Sequence, residues 1–162
     1  MKSKIFATIL LVVVSITSSF AIVNNSNFPV IKQVRITRPF QKLVVNSNVH
    51  LVLVQDESKS IISITGNEKD VESIEITCNK DQLTITSKKN TEGIVVYVPV
   101  TDLSLINLAS GAAVSGEGNL QFDNLTVIVD TDSYVNLKAA GNINLKPADN
   151  CDVVYEKIRS VK

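Results

Sequence analysis

Residues 125–137 read LTVIVDTDSYVNL, and the order of apolar and polar residues in this stretch indicates how the chain folds. Apolar residues alternate with polar ones in Leu125–Val129, and the alternation resumes in Tyr134–Leu137. Between them stand four polar residues, Asp130–Ser133. Asp and Ser side chains hydrogen-bond their own backbone, and Asp tolerates the left-handed conformation that a sharp turn needs. The stretch therefore predicts two strands joined by a polar corner.

The same period of two runs through most of the chain after Pro29. Strands rich in Val, Ile and Thr, separated by turn residues, are predicted at 34–37, 43–54, 61–65, 74–77, 83–86 and 94–98. A helix of one or two turns is predicted only at Glu68–Ser73. The sequence therefore predicts an all-β fold with little or no helix.

The second half of the chain repeats itself. Three pairs of segments correspond at nearly equal spacings: 103–106 with 125–128, 113–114 with 134–135, and 118–120 with 141–143. The period, about 22 residues, is the size of one coil of a β-solenoid, in which each coil buries its inward residues against its neighbours. We therefore predict a parallel β-helix-like solenoid with short coils of about 22 residues.

The first 21 residues have the organisation of a secretory signal peptide. Two lysines precede the apolar run Ile5–Val14, and small residues follow at Ser19–Ala21. The run is about half the roughly 20 residues that a membrane-spanning helix needs. We predict a signal peptide at 1–21 and one mature domain at 22–162, exported to the periplasm, the cell envelope or the medium. The alternative is a retained membrane anchor; after cleavage we expect no membrane span.

The composition excludes one class of partner. The chain has 16 basic and 16 acidic residues, a formal net charge of zero, and no long run of either sign. Nucleic-acid-binding proteins usually carry a basic patch, so no nucleic-acid partner is expected. Aromatic residues are few and Trp is absent, which disfavours a stacked sugar- or base-binding platform.

The two cysteines, Cys78 and Cys151, leave two alternatives open. An oxidising compartment permits a disulfide between them. Alternatively, Cys78 continues the apolar alternation of Ile74 and Ile76 and is a buried free thiol. With the single histidine, His50, they lack the ligand spacing of a zinc site. His50 is predicted on the solvent face of its strand.

Asp130 and Asp132 are the main candidates for chemistry. They could be a pair of hydrolase carboxylates, ligands for calcium, or corner residues. No basic residue lies between Asn119 and Tyr134, and the Gly- and Asp-dense spacing of calcium repeats is absent. A similar polar corner, Asn46–Asn48, recurs between two earlier strands, which favours the structural interpretation. We predict no catalytic residue and no cofactor, with Asp130 and Asp132 as weak calcium candidates only.

Several segments in order resemble one known family. They are Phe40, Asn48–Gln55, Asp81–Ile85, Val96–Val100 and Leu108–Val114. This order is similar to that of the putative auto-transporter adhesin, head GIN domain family, over residues 34–146. Corners of the Ser-Gly type are usual in that family; Ser110–Gly111 matches them and Asp130–Ser133 departs from them.

The resemblance implies an exported, parallel β-helix-like domain of Bacteroidetes-type bacteria without enzymatic activity. It implies adhesin-like binding of a glycan or of an envelope or cell-surface protein, or association with copies of itself. The alternative function is a periplasmic module that senses or regulates the state of the envelope, or acts as a scaffold there. An enzyme acting on polysaccharides is improbable because no catalytic motif is present.

Overall fold

The computed structural model describes residues 29–56 and 60–159. The predicted signal peptide at residues 1–21 lies outside these residues. Within the described part, twelve β-strands and one short helix form the fold. The strands are β1 Val30–Arg35, β2 Lys42–Asn46, β3 His50–Gln55, β4 Ile61–Gly66, β5 Ile74–Asn79, β6 Gln82–Ser87, β7 Val95–Val100, β8 Leu105–Leu108, β9 Ala113–Glu117, β10 Leu120–Val129, β11 Tyr134–Pro147 and β12 Asp152–Lys157; the helix is α1 Glu68–Ser73.

All twelve strands belong to one sheet. Its order is β1-β4-β7-β3-β9-β11-β10-β8-β2-β6-β5, and β12 pairs with β11 beside this path. The two ends of the path approach each other, because the ammonium group of Lys32 in β1 donates to the carbonyl oxygen of Ile74 in β5 at 3.1 Å. Helix α1 packs against β1, β4 and β5 at the same place. The result is a nearly closed, barrel-like sheet.

Two series of parallel strands make up most of the sheet. In one series β2, β8, β10 and the C-terminal part of β11 are neighbours, and in the other β3, β9, the N-terminal part of β11 and β12 are neighbours. A corner joins each strand of the first series to a strand of the second. Since inward residues of successive strands stack in register, the corners of the chain stack as well.

Strand β11 belongs to both series, and Gly141 is the point where it passes between them. Residues 134–136 pair with β9, residues 139–140 pair with Leu120–Gln121 at the start of β10, and residues 142–147 pair with the rest of β10. Gly141 has a φ of 104°, and a Cβ atom there would lie 1.6 Å from the carbonyl oxygen of Phe122. Because only glycine permits this approach, Gly141 allows the bend.

The interior of the described part holds one cluster of apolar side chains. Residues at alternate strand positions are fully buried, as the period of two predicts, among them Leu43, Leu51, Ile85, Val98 and Val127. Burial of this much aliphatic surface is the main driving force for folding. At β12 and the end of β11 the inward residues Ile143, Leu145, Val153 and Tyr155 are only half-buried, because no strand follows them among the described residues.

The all-β class and the short helix are confirmed. The predicted parallel β-helix-like solenoid with coils of about 22 residues is not confirmed. The register relates Leu105 to Thr126 and Thr126 to Asn144, and these two intervals differ in length. In addition, three pairs of strands are antiparallel: β1 with β4, β4 with β7, and β5 with β6. Strands β6 and β7 pair with β2 and β3 on the side away from β8 and β9, so the order in space is not the order in the chain.

Candidate functional site

The corner Asp130–Ser133 is one of several corners that stack on one side of the molecule. The equivalent left-handed residues are Gly111, Asp132 and Asn150, with φ of 76°, 57° and 60°. The backbone N–H of Gly111 donates to the carbonyl oxygen of Thr131, and that of Asp132 donates to the carbonyl oxygen of Asn150, both at 3.2 Å. Each corner is therefore hydrogen-bonded to the next one through its left-handed residue.

The side chains of this corner also bond within the stack. The Asp130 carboxylate accepts from the backbone N–H of Thr131 at 2.8 Å, and the Asp132 carboxylate accepts from the side-chain amide of Asn150. The buried hydroxyl of Ser133 donates to the carbonyl oxygen of Ala109 at 3.0 Å. Both carboxylates thus have the partners that a corner residue needs. Nowhere in the described chain do three or more His, Cys, Asp or Glu side chains form a group that could hold a metal ion.

Both cysteines are free thiols in the structure. Cys78 is half-buried in β5 and packs against the core, as one of the two sequence alternatives predicts. Cys151 lies beside the corner stack, with its thiol 3.0 Å from the carbonyl oxygen of Asp130. Several strand intervals of about 4.8 Å separate the two along the sheet, whereas a disulfide requires Cα atoms roughly 4.4–6.8 Å apart. The two thiols are thus unpaired in this structure, and a disulfide between Cys78 and Cys151 stays a prediction.

His50 is exposed on its strand, as predicted, and its imidazole Nε2 lies 2.8 Å from the Ser115 hydroxyl oxygen on the neighbouring strand. It stands in the middle of a broad outward-facing surface. Register places the outward residues of β1, β4, β7, β3, β9, β11 and β12 on this one surface. A histidine–serine contact on an open strand surface, with no acid attached to it among the described residues, is a cross-strand pair and not a catalytic triad.

This outward surface collects the exposed apolar side chains, and we call it the tyrosine face. Of the six large hydrophobic residues that are exposed in the described chain, five lie on it: Ile31, Ile61, Tyr97, Tyr134 and Val154. Ile31 is 66% exposed and Val154 is 54% exposed. Isolated exposed apolar residues are normal, but a group concentrated on one side of a molecule marks an interaction surface.

A shallow groove of about 490 Å³ runs across one half of the tyrosine face. Ile31, Ile61 and Tyr97 line it together with Val54 and Pro99, and Glu117 is its one charged lining residue. An apolar floor with few polar groups suits the side of a sugar ring or an apolar side chain of a protein.

The outward surface of the other strand series differs in chemistry, and we call it the threonine–asparagine face. Its residues include Thr77, Thr84, Asn107, Thr126 and Asn144, in rows fixed by the strand register. Ile128, the sixth exposed large hydrophobic residue, lies on this face, and the half-buried Val44 and Leu105 occupy the same outward rows. The two faces therefore differ in the share of exposed large apolar side chains, which is higher on the tyrosine face.

A second cleft lies on the side opposite the stacked corners. Its volume is about 590 Å³. Polar residues line most of it, among them Gln41, Gln55, Asp102, Asp123 and Asn124. It adjoins Gly141 and the irregular register between Gln121 and Asn124, where β10 and β11 pass from one series to the other.

Sequence reasoning places the corner and His50 correctly but does not find either surface. Tyr97 and Tyr134 are distant in the chain and share a face only through three successive pairings, β7 with β3, β3 with β9 and β9 with β11. The signal that could have found them is the alternation of buried and outward positions: Tyr97 lies between the buried Val96 and Val98, and Tyr134 follows the buried Ser133 and precedes the buried Val135.

Fold and surfaces define a class of protein: an all-β domain with an exposed apolar sheet face and no metal cluster in its described part. The chain belongs to the putative auto-transporter adhesin, head GIN domain family, whose model matches residues 39–156. A comparison with curated proteins found no match. Within the described residues, no helix has the length and hydrophobicity to cross a membrane.

Solved structures share the fold. A putative adhesin from Bacteroides fragilis superposes with a TM-score of 0.68 at 17% identity, covering 79% of this chain and 62% of that one. Putative adhesins from Parabacteroides merdae and Parabacteroides distasonis give TM-scores of 0.68 and 0.69 at 19% and 15% identity. They cover 78% and 80% of this chain, but only 55% and 57% of their own chains are matched. This chain therefore spans somewhat more than half the length of these structures.

Proposed function

We propose that this chain is an exported, non-catalytic binding domain that attaches to an extended partner of the cell envelope through its tyrosine face. The partner class is a glycan or an envelope or cell-surface protein. The observation that carries the proposal is the concentration of five exposed large apolar side chains on one face. Membership of an adhesin family supports the same role, as inference from family to function.

The geometry of the face suits a long partner rather than a small molecule. Three strand intervals separate Tyr97 from Tyr134, which amounts to about 14 Å across the sheet. Aromatic side chains supply large, stiff contact area at low entropic cost. We infer that the stacked parallel strands act as a short solenoid-like scaffold that holds these side chains at fixed spacing.

The non-catalytic part of the proposal rests on the carboxylates. Asp130 and Asp132 hydrogen-bond backbone and amide groups within the corner stack, which accounts for their presence without chemistry. We propose no cofactor. A calcium ion at this corner would have to rely on carbonyl oxygens, because the described residues supply no third acidic side chain there.

The proposal is tested by adding the purified protein to isolated cell envelopes and to envelope polysaccharides, then measuring bound protein after sedimentation. Saturable binding to one of them is expected. Linear, non-saturating retention on every preparation would contradict the proposal.

Protease shaving of intact producing cells separates the adhesin from the alternative, a periplasmic sensing or scaffolding module. Release of the protein by protease from intact cells is expected for the adhesin. Protection until the outer envelope is opened would favour the periplasmic module instead.

A further inference from the structure

The polar cleft opposite the corners differs in its lining from the largely apolar groove of the tyrosine face. It lies where the chain crosses from one strand series to the other, and its volume is about 590 Å³. That volume is within the roughly 300–1,000 Å³ typical of small-molecule sites. β-Bulges and irregular register of the kind found at Gln121 and Asn124 often lie beside functional sites, because they redirect side chains.

Three of the polar side chains on the cleft wall have no bonding partner in the described part of the chain. No described residue hydrogen-bonds or forms an ion pair with the carboxylates of Asp102 and Asp123 or with the side-chain amide of Gln41. None of the described lining residues is Lys or Arg. The cleft therefore offers hydrogen-bond acceptors and an amide, with negative charge and no compensating cation.

The framework that holds these groups is itself well bonded. The carbonyl oxygen of Gln41 accepts from the Ser104 hydroxyl at 3.0 Å and from the Ser104 backbone N–H at 2.8 Å. The side-chain oxygen of Gln55 accepts from the backbone N–H of Gln121 at 3.0 Å. The side-chain oxygen of Asn124 accepts from the Asn142 amide at 3.2 Å, which leaves the Asn124 amide group as a donor. These bonds fix the backbone and part of the cleft wall, so the entropy lost by the protein on binding is mainly that of the exposed side chains of Gln41, Asp102 and Asp123.

These groups match the hydroxyls of a sugar. Each sugar hydroxyl can donate one hydrogen bond and accept others. One hydroxyl can therefore donate to a carboxylate oxygen while a neighbouring hydroxyl accepts from a side-chain amide N–H. An anionic ligand would be repelled by the two carboxylates, and an apolar ligand would leave them desolvated and unpaired. We propose that this cleft binds a neutral, polyhydroxylated ligand, a single uncharged sugar residue or the end of a neutral oligosaccharide.

The site is separate from the tyrosine face, so either proposal can fail without the other. Binding through hydrogen bonds in an open cleft, without an exposed aromatic ring, is expected to be weak, with a Kd in the millimolar range. The measurement is an NMR titration of the ¹⁵N-labelled protein with glucose, galactose, mannose, N-acetylglucosamine and their neutral disaccharides. Saturable shifts confined to residues around the cleft are expected for at least one of them.

Variants then assign the binding to the carboxylates. Asp102→Ala and Asp123→Ala each remove a charged acceptor and should raise Kd about tenfold. Asp149→Asn is the control, since Asp149 is an exposed carboxylate of the corner side. It should leave Kd unchanged. Retained melting temperature shows that the variants are folded.

Three results would overturn the proposal. One is the absence of saturable shifts with every neutral sugar at high millimolar concentration. Another is sugar binding that the Asp102 and Asp123 variants leave intact. The third is occupation of the cleft by calcium or by a cationic amine in place of a sugar, which the same titration reveals with calcium chloride or spermidine as the added compound.

Discussion

At the scale of single residues, Gly141 has the most demanding position in the chain. Its φ is 104°, and a Cβ atom at this position would lie 1.6 Å from the Phe122 carbonyl oxygen, which leaves no room for a side chain. This is the residue that lets β11 serve two strand series. The polar cleft adjoins it, so fold and proposed sugar site depend on the same bend.

Gly141→Ala should destabilise the protein by on the order of 3 kcal/mol or more, from backbone strain and displacement of Phe122. Gly118→Ala is the matched control. Gly118 also has a positive φ, 75°, but nothing lies within 4 Å of the position of its Cβ. The control should lose only about 1 kcal/mol. Urea denaturation measures both, and equal losses would contradict the steric role of Gly141.

Asp70 provides a prediction about pH. The hydrogen bond from Lys89, with Nζ 2.7 Å from Oδ1, and the hydrogen bond from Asn67 hold the pKa of Asp70 below its usual value. A lowered pKa in the folded state means that the carboxylate stabilises the fold at pH above its unfolded pKa of about 3.9. That contribution is lost as the pH falls through the folded-state pKa.

Asp70→Asn should therefore lower the melting temperature at pH 6–7, and the difference in melting temperature from the unchanged protein should shrink as the pH falls below the unfolded pKa of about 3.9 and through the folded-state pKa. Glu72→Gln on the same helix is the control, because Glu72 is exposed and its carboxylate has no partner among the described residues. Thermal unfolding followed by circular dichroism from pH 2 to pH 7 measures the effect. A difference that stays constant down to pH 2 would show that charge is not the cause.

At the scale of elements, the stacked corners explain why LTVIVDTDSYVNL is polar in the middle. The corner needs a left-handed residue, supplied by Gly111, Asp132 and Asn150 at successive levels. Gly, Asp and Asn all tolerate a positive φ. The residue type at this position can therefore differ from one corner to the next.

The double variant Asp130→Asn and Asp132→Asn should lose less than about 0.5 kcal/mol, because Asn keeps both the hydrogen bonds and the left-handed preference. Asp132→Ala is the contrast and should lose about 1 kcal/mol or more, since alanine bears the full cost of the positive φ. Envelope binding should be unchanged in the double variant. Abolished binding with an unchanged fold would show that Asp130 and Asp132 are functional residues after all.

Most of the strands and the short helix can be predicted from the sequence. Alternation predicts most strands, and the absence of a 3.6-residue period predicts that α1, the one helix among the described residues, is short. The exact spacing of the repeats is harder to predict from the sequence. Matching segments by composition aligns Leu103 with Leu125, whereas the register aligns Leu105 with Thr126, an interval shorter by one residue. A shift of one residue exchanges inward and outward positions, so composition alone cannot fix the register.

At the scale of the whole molecule, the order of the strands in the sheet cannot be predicted from local sequence patterns. Strands β6 and β7 stand on the far side of β2 and β3, although they follow them in the chain. Pairings of this kind are long-range contacts between segments with similar alternation, so several orders satisfy the same pattern. For the same reason the separation of Cys78 from Cys151, the tyrosine face and the polar cleft become visible only in three dimensions.

The proposed function can be tested by comparing variants of the tyrosine face with a variant of the threonine–asparagine face. Replacing Tyr97 and Tyr134 with serine removes the exposed aromatic contacts of the tyrosine face. Replacing Ile128 with serine removes an equally exposed apolar residue from the threonine–asparagine face, at 38% exposure against 39% and 40% for the tyrosines. All three side chains point outward, so the fold should tolerate each change.

The most direct measurement is the affinity of these variants for isolated cell envelopes, from sedimentation isotherms over a range of protein concentration. The tyrosine-face variant should bind at least about tenfold more weakly than the unchanged protein, because buried aromatic residues carry much of the energy of an interface. The Ile128→Ser variant should bind as the unchanged protein does. Equal affinity of all three proteins, or loss of binding only in Ile128→Ser, would contradict attachment through the tyrosine face.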